Sequence, residues 1–508
     1  MRFPFLSTSE SITLGSYGPP FLRFPLRIPL RDFETHAHVV GLSGYGKSRF
    51  LASLFLQLVR LGCGATLLDL HGDLSRLVLG RLVEGDQLDF GRVTYLDLPR
   101  AERVGRFLPF NVLKQRYPAH VIGSGVLEAL HRAYPELAQG APAFDNLVKY
   151  GVKLLVSNAL PLTALWELLA DEEFRRSLYP REDDDEVVKY FSRFFDRLDR
   201  RERREEIDSA MRRLGDLTYS PVLRHSLSQL ENALDLRAAI DTGKATIVDL
   251  SLADRQAARL IGSLLTVFVE QAAFSRAEVV PEERTRSHWL ILDEYGEVSA
   301  KSAATLTSIL SHCRKYRVFV VMAHQTYSQA SEGLRGSLQN VGLEVSFRLG
   351  RLDADYEAEL LMRPDVLSVK HQVADPAAVE RTHPLYFNLV EQKTSWVGAL
   401  QDLGVSEAFL KVPGGRVAQV RTPEVRAPQV NPQRLAEVEA WYLSTCFRPP
   451  NTVESRPARY EETPEARVGP LRTTRVSLLP TQAGAAKQAH KDGYGTAAPA
   501  EGEFPGTR

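Results

Sequence analysis

A glycine-rich loop that ends in a lysine and a serine is the segment of this sequence with the most specific chemistry. It reads Gly41-Leu-Ser-Gly-Tyr-Gly-Lys47-Ser48 and matches the pattern G-x-x-x-x-G-K-[ST]. Glycines let backbone N–H groups curl around a phosphate, and the helix that follows points the positive end of its dipole at it. An apolar strand pattern precedes the loop and an apolar helix pattern follows it. The segment therefore predicts a nucleotide site rather than an ordinary glycine-rich turn.

The lysine and the serine of this loop have separate expected tasks. We expect Lys47 to bridge the β- and γ-phosphates of ATP and the Ser48 hydroxyl to hold Mg²⁺. The residues predicted to contact the nucleotide are Gly41, Ser43, Gly44, Tyr45, Gly46, Lys47, Ser48 and Arg49.

Two acidic residues follow a second apolar run, Trp289-Leu-Ile-Leu, which ends at Asp293 and Glu294. On a parallel sheet the carboxyl end of such a strand faces the same crevice as the phosphate loop. We expect Asp293 to support Mg²⁺ and Glu294 to orient and deprotonate an attacking water, the task that a hydrolytic enzyme must fill. An acid pair at a strand end also caps helices, so it predicts hydrolysis only together with the loop.

A third apolar run, residues 318–323, ends in His324 and Gln325. The amide of Gln325 is placed to contact the γ-phosphate or the attacking water. A hydrogen-bonded turn explains the same residues equally well.

The elements that must position these residues alternate between strands and helices. Short apolar runs, separated by a helical pattern at residues 47–61, predict a parallel sheet. The expected strands are residues 38–41, 66–70, 93–98, 245–250, 289–292, 318–323, 343–349, 386–390 and 395–399. Residues 113–240 have helical periodicity instead. The predicted organisation is a first part of an α/β domain (1–112), an inserted all-α domain (113–240), the second part (241–430), a C-terminal helix (431–448) and a disordered tail (449–508).

The composition is that of a globular protein with two or three domains, with 508 residues, 44% hydrophobic and 25% charged. The longest apolar run, residues 260–269, is too short to span a bilayer and predicts a buried helix. No signal peptide is recognisable, so a cytoplasmic location is expected. The three cysteines have no metal-ligand spacing, and His36 and His38 lack a third ligand nearby. Acidic and basic residues balance at 63 each, so any DNA contact must come from a local patch.

At the level of whole segments the sequence resembles the HerA/FtsK superfamily of DNA-pumping ATPases, and within it the TraD/TraG-like coupling ATPases of conjugation. The likeness covers residues 20–420. It rests on the segments HAHVVGLSGYGKS, LLDLHGDL, GKATIVDLS, WLILDE, SILSHCRKYRVFVVMAHQTYSQ and LQNVGLEVSFRLGRLDAD. The resemblance implies a RecA-like motor domain with an inserted helical domain, assembled as a ring, most often a hexamer, that translocates DNA.

The resemblance also implies roles for two residues. Gln325 takes the sensor-glutamine position, and Arg314 takes that of an arginine finger that reaches a neighbouring subunit's nucleotide. The alternative for Arg314 is a basic helix end that complements the helix dipole. Residues similar to Asp69 and His71 recur in the family, but no chemical step follows for them. Coupling proteins usually carry N-terminal transmembrane helices, which this sequence lacks, so a soluble motor or one docked at the inner membrane through a partner channel is expected.

The DNA contacts and the biological setting are the least specific predictions. Lys301 and Arg335 lie in segments that would line the pore of such a ring, although two ordinary surface cations explain them equally well. The predicted function is an ATP-driven DNA translocase for DNA transfer. Alternatives are a repair or defence motor that works with a nuclease, and a protein-handling secretion or pilus ATPase. A signalling switch without turnover is disfavoured because Glu294 and Arg314 supply hydrolytic groups.

Overall fold

The computed structural model describes residues 11–298, except 20, 87, 135–141, 200, 202–209, 211–213 and 216, and residues 304–450, except 331, 339 and 375–381. The strands are β1 (Ser11–Tyr17), β2 (Phe24–Pro29), β3 (Ala37–Val40), β4 (Gly64–Asp69), β5 (Val93–Asp97), β6 (Ala245–Asp249), β7 (His288–Leu292), β8 (Val318–His324), β9 (Leu343–Ser346), β10 (Val369–Ala374), β11 (Thr382–Tyr386), β12 (Glu407–Val412) and β13 (Arg416–Arg421). The predicted tail lies outside the described residues from position 451 onwards.

Most α-helices of the described residues lie between these strands, and a long run of them lies between β5 and β6. They are α1 (Leu30–Phe33), α2 (Lys47–Arg60), α3 (Asp73–Glu84), α4 (Leu98–Arg103), α5 (Ala119–Ala133), α6 (Pro142–Ser157), α7 (Ala164–Ala170), α8 (Glu172–Leu178), α9 (Asp185–Lys189), α10 (Pro221–Leu227), α11 (Leu236–Thr242), α12 (Arg255–Ser275), α13 (Tyr295–Val298), α14 (Ala304–His312), α15 (Glu332–Leu338), α16 (Arg351–Leu361), α17 (Leu389–Gln401) and α18 (Pro432–Cys446).

An eleven-stranded sheet organises the described part of the chain, in the order β2-β1-β13-β12-β9-β3-β8-β7-β4-β6-β5. The strands from β9 to β5 in this order are parallel to one another. The other four are joined to them by antiparallel pairs. The strands β3, β4, β6, β7, β8 and β9 are buried along their whole length. Their apolar runs in the sequence are those of parallel strands covered on both faces.

The register of the parallel strands places the predicted functional segments at one edge of the sheet. Val40 at the end of β3 lies opposite His324 at the end of β8. On the other side of β8, Met322 lies opposite Leu292, the last residue of β7. The phosphate loop, the glutamine and the acid pair therefore leave three adjacent strands at the same carboxyl edge, where ligands bind in open α/β sheets.

The helical segment lies between β5 and β6 in the chain, as predicted, and its helix α5 packs against α12, the helix that follows β6. Helix α12 contains the apolar run predicted as a buried helix, and its residues from Ala257 to Ala273 are almost all buried. Among the described residues, Arg255–Glu278 is the one helical stretch long and apolar enough to cross a membrane, and 89% of its apolar window is buried inside the protein. That burial is typical of a core helix. The predicted domain boundaries stay a prediction.

The structure corrects the sequence prediction between residues 386 and 399. Both predicted strands there are wrong, since β11 ends at Tyr386 and α17 covers Leu389–Gln401. The reason is a capping box, in which the Asn388 side chain accepts from the Glu391 N–H and the Glu391 carboxylate accepts from the Asn388 N–H. The sheet is instead extended by the hairpin β12–β13, which the prediction missed.

Candidate nucleotide-binding and hydrolysis site

The phosphate loop joins β3 to α2 in a backbone conformation that requires glycine. Gly41 and Gly46 have φ angles of 155° and 116°. A Cβ atom on Gly41 would lie 2.5 Å from the Cβ of Phe347, so a larger residue cannot fit there. No described atom lies within 4 Å of the position that a Cβ of Gly44 would take. The tip of the loop is therefore open, as a loop that cradles a phosphate must be.

The loop is held in place by backbone contacts with neighbouring segments. Leu42 N–H donates to the Arg348 carbonyl at 2.8 Å, and Ser406 N–H donates to the Tyr45 carbonyl at 2.9 Å. The guanidinium of Arg348 also lies over the Tyr45 ring, 5.2 Å from its centroid. These contacts fix the loop in the nucleotide-free chain. Because no described side chain caps the first turn of α2, its N–H groups remain for a phosphate.

The ammonium group of Lys47 is buried under the loop. Its Nζ donates to the carbonyls of Gly41 at 2.7 Å and Leu42 at 3.3 Å. It also lies 3.8 Å from the Glu294 carboxylate. Burial lowers the pKa of Lys47, and the charges of Glu294 and Asp293 oppose that shift. Lys47 thus connects the loop to the acid pair.

Asp293 meets Ser48 at the point where the sequence predicted a Mg²⁺ site. The Ser48 hydroxyl donates to Asp293 Oδ2 at 3.0 Å. Among the described residues, Asp293 Oδ1 is buried and accepts no hydrogen bond. Burial raises the pKa of Asp293 to about 6, with further contributions from the charges of Asp69 and Glu294. A buried carboxylate with an unused oxygen beside a hydroxyl fits a hard cation.

Glu294 and Gln325 also lie together. Gln325 Nε2 donates to Glu294 Oε1 at 3.1 Å, and the Glu294 side chain is almost completely buried. Glu294 has a φ angle of 54°, in the left-handed region that a non-glycine residue rarely adopts. Such backbone strain is concentrated at functional sites.

These residues have the chemistry to hold Mg²⁺ and a nucleoside triphosphate. Ser48 and Asp293 would hold the cation, while the loop N–H groups and Lys47 would hold the phosphates. When bound, Mg²⁺ withdraws charge from the phosphate oxygens.

Three more residues that the sequence singled out lie on the loop, on α2 and at the end of β4. Ser43 and Arg49 are exposed on the loop and on α2. Asp69 accepts from His71 N–H at 3.0 Å and from Ser75 N–H at 2.7 Å, so it closes the first turn of α3. This contact gives Asp69 a structural role, while its charge acts on Asp293.

Arg314 and Arg335 lie outside the phosphate site. Arg314 is exposed in the 3₁₀ turn Cys313–Tyr316, just before β8 begins, and therefore at the opposite edge of the sheet from the phosphate loop. Arg335 is half-buried on α15, where its Nε donates to the Ala330 carbonyl. Lys301 lies outside the described residues.

Sequence reasoning missed a pair of buried histidines beneath the site. His38 and His324 are 286 positions apart, and their Nε2 atoms lie 2.6 Å from each other. His36 instead accepts from Val320 N–H, so it does not share a ligand position with His38. The described residues contain no group of three or more His, Cys, Asp or Glu side chains arranged to hold a metal ion. No local sequence pattern predicts this pair, because the two histidines become neighbours only through the alignment of β3 with β8.

A parallel sheet that carries a phosphate loop, an acid pair and a glutamine at adjacent strand ends defines the RecA-like P-loop fold. No protein-family model and no curated protein sequence matches the chain. Solved structures do match.

The bacterial conjugative coupling protein TrwBdeltaN70 is 18% identical, with a TM-score of 0.53 over 80% of this chain and 89% of that one. The plasmid coupling protein TrwB in complex with ADP and Mg²⁺ is also 18% identical, with a TM-score of 0.52 over the same shares, 80% and 89%. VirB4 of Thermoanaerobacter pseudethanolicus is 13% identical, with a TM-score of 0.50 over 85% of this chain and 99% of VirB4. At these identities the matches establish the fold, and they confirm the predicted one.

The burial of Asp293 predicts a stability cost that an uncharged isostere removes. In nucleotide-free protein at pH 7.5, D293N is expected to raise the free energy of unfolding by about 1–3 kcal/mol, because the folded-state pKa lies near 6 and the unfolded value near 3.8. A raised carboxyl pKa means that the folded state binds the proton more tightly. The stability that D293N gains over wild type is therefore full above pH 6 and disappears as the pH falls towards 4. Urea unfolding at several pH values measures it, and a D293N variant less stable than wild type at pH 7.5 would contradict the buried-charge interpretation.

Proposed function

We propose that this chain is an ATPase that uses ATP hydrolysis to move DNA, as the motor of a conjugation-like transfer system. The observation that carries the proposal is the constellation of Lys47, Ser48, Asp293, Glu294 and Gln325 at one sheet edge. Each of these side chains has a task in hydrolysis, and each lies within contact distance of another member of the set.

In the proposed reaction a water molecule attacks the γ-phosphate in line with the leaving β-phosphate oxygen. Glu294 accepts the proton of that water, and Gln325, which already donates to Glu294, orients it. Lys47 stays on the β- and γ-phosphates and balances the charge that develops on them. Glu294 then carries the proton of the attacking water, and the products are ADP and phosphate.

The DNA part of the proposal is supported by the fold and by the sequence segments of the coupling ATPases. TrwB is a conjugative coupling protein, and one of its structures contains ADP and Mg²⁺. We propose the same ligands here. A second candidate is a protein-handling ATPase, which is favoured by the balance of 63 basic and 63 acidic residues, since that balance supplies no general attraction to a polyanion. The location we propose is cytoplasmic, with a membrane channel reached through a partner.

Steady-state turnover with and without DNA separates the candidates. We expect wild type to hydrolyse ATP faster when DNA is added, with an apparent DNA affinity that falls steeply between 50 and 200 mM salt, about 10³-fold or more if several phosphates are contacted. K47A is expected to lose at least about 10²-fold in kcat. Turnover that is indifferent to DNA at low salt would favour the protein-handling candidate. An absence of turnover in wild type at every protein concentration would overturn the ATPase proposal itself.

The position of Arg314 supports a separate proposal about the assembly of subunits. Arg314 lies at the amino edge of the sheet, whereas the phosphate loop lies at the carboxyl edge, so it is remote from the nucleotide of its own chain. We propose that it completes the site of the neighbouring subunit in a ring, where such a finger contributes about 10³–10⁵ in rate.

Co-expression of two inactive variants tests that assembly. R314A should lose about 10³-fold in kcat while still binding nucleotide, and K47A retains its own Arg314. In a mixed ring, the intact loop of an R314A subunit can face the Arg314 of a K47A subunit. The mixed preparation is then expected to exceed the sum of the two variants in turnover.

K315A is the matched control, because Lys315 is an exposed cation in the same 3₁₀ turn. It should hydrolyse ATP at the wild-type rate. A co-expressed preparation no more active than the separate variants would contradict a finger that acts between subunits.

A further inference from the structure

A chain of buried polar side chains crosses three strands directly beneath the proposed hydrolysis site. Glu344 on β9 lies 3.9 Å from Nδ1 of His38 on β3, and His38 Nε2 lies 2.6 Å from His324 Nε2 on β8. Both histidines are completely buried. These polar side chains therefore link β3, which leads into the phosphate loop, with β8, which leads into Gln325.

The contacts of His324 and His38 determine which of their ring nitrogens carry a hydrogen. His324 Nδ1 lies 2.8 Å from the Thr326 carbonyl, which can only accept, so Nδ1 carries a hydrogen. Burial and the neighbouring His38 hold the pKa of His324 well below 6.5, so its ring is neutral. His324 Nε2 is then an acceptor, and His38 Nε2 must be the donor. One arrangement of hydrogens satisfies both bonds.

The surroundings hold both rings in this arrangement. The Tyr327 ring packs on His38 and His324 with centroid distances of 5.6 and 5.3 Å. Its hydroxyl donates to Glu357, which also accepts from the Ser346 hydroxyl at 2.5 Å. The rings therefore sit in a fully packed environment.

The charge of Glu344 has its own partners at the far end of the chain. Burial would raise the pKa of Glu344, but His38 and Lys411 together keep it below its usual value. Lys411 lies 3.4 Å from the Glu344 carboxylate. Two more cations act on His324 from other elements, Lys47 of the phosphate loop and Arg335 of α15.

Through Nδ1, His324 touches the residues that flank both hydrolytic side chains. Thr326 follows Gln325 in the sequence. The hydrogen bond from His324 Nδ1 to the Thr326 carbonyl therefore joins the two residues on either side of the glutamine. Nδ1 also lies 3.5 Å from the hydroxyl of Tyr295, the residue after Glu294. A single ring therefore contacts the residue after Gln325 and the residue after Glu294.

We propose that His324 is a positioning residue for hydrolysis, which holds Gln325 against Glu294 through its Nδ1 hydrogen bond to the Thr326 carbonyl. His38 holds the ring from the strand of the phosphate loop. This inference rests on the ATPase activity proposed above, and it adds a residue that would touch neither nucleotide nor water.

Two isosteric substitutions separate the positioning role from simple packing. The amide of H324N can place its N–H near the position of Nδ1 and keep the bond to Thr326, whereas the amide of H324Q reaches the position of Nε2 and keeps only the contact with His38. We expect H324Q to lose about 10²-fold in kcat and H324N to stay within about 5-fold of wild type, since a small misplacement of a reacting group has an effect of that size. KM for ATP should be unchanged in both.

A second pair of substitutions gives the same information if H324Q does not fold. H38Q keeps a donor near the position of Nε2, and H38L removes it, which leaves His324 without its partner. We expect kcat to fall in H38L and to be largely retained in H38Q. The ordering H324N above H324Q, or H38Q above H38L, is the result that the proposal requires.

His288 supplies the matched control. It is a completely buried histidine in the adjacent strand β7, but at the amino edge, where its Nε2 lies 2.9 Å from the Thr66 hydroxyl. H288Q is expected to change the unfolding temperature but not the kcat per folded molecule.

Equal losses of kcat in H324N and H324Q, or a loss expressed only in KM, would overturn the positioning role. If wild type itself does not turn over ATP, the proposed function fails instead. The two failures are therefore distinguishable.

Discussion

Three charged side chains, Lys47, Asp293 and Glu294, are almost completely buried at one edge of a parallel sheet. Burial of a charge is unfavourable unless other groups neutralise it, and here each charge depends on the other two and on the loop carbonyls. The excess is one negative charge, and Asp293 keeps an oxygen without a hydrogen-bond partner among the described residues. A divalent cation beside Asp293 would offset that excess. The uncapped N–H groups at the start of α2 and the ammonium of Lys47 would face the phosphates.

The sheet itself explains why these groups meet. Residues 47, 293 and 325 are far apart in the chain, yet β3, β8 and β7 are adjacent and parallel, so their carboxyl ends coincide. The same alignment brings His38 beside His324 and separates Arg314 from the phosphate loop of its own chain. One topological fact therefore determines the proposed catalytic set, the histidine pair beneath it and the position of the residue that we propose for a neighbouring subunit's site.

The sequence was sufficient for the parallel core and for most of the site. The parallel strands were predicted because each is a short apolar run bounded by a loop or a helix, and burial on both faces leaves that simple pattern. The loop, Asp293, Glu294 and Gln325 were recognisable because their chemistry depends on residue type at fixed spacing. The structure brings Lys47, Ser48 and these three side chains into contact.

Elsewhere the pattern was ambiguous or absent. Residues 389–401 mix apolar and β-branched residues in a way that fits a strand, and only the reciprocal bonds of Asn388 and Glu391 start a helix there. The β12–β13 hairpin was overlooked although glycines at 414 and 415, both with positive φ, mark its turn. The His38–His324 pair had no local signature, because two residues in different strands become neighbours only through register.

In the proposed mechanism these buried groups have separate tasks, since Lys47 and Ser48 act in nucleotide binding and Glu294 acts on the attacking water. The most direct measurement compares E294Q with wild type by equilibrium binding of Mg–ATP and by single-turnover hydrolysis. E294Q is expected to bind Mg–ATP as tightly as wild type but to hydrolyse it about 10²–10⁴-fold more slowly, as the loss of a general base requires. Hydrolysis by E294Q at the wild-type rate would contradict this mechanism.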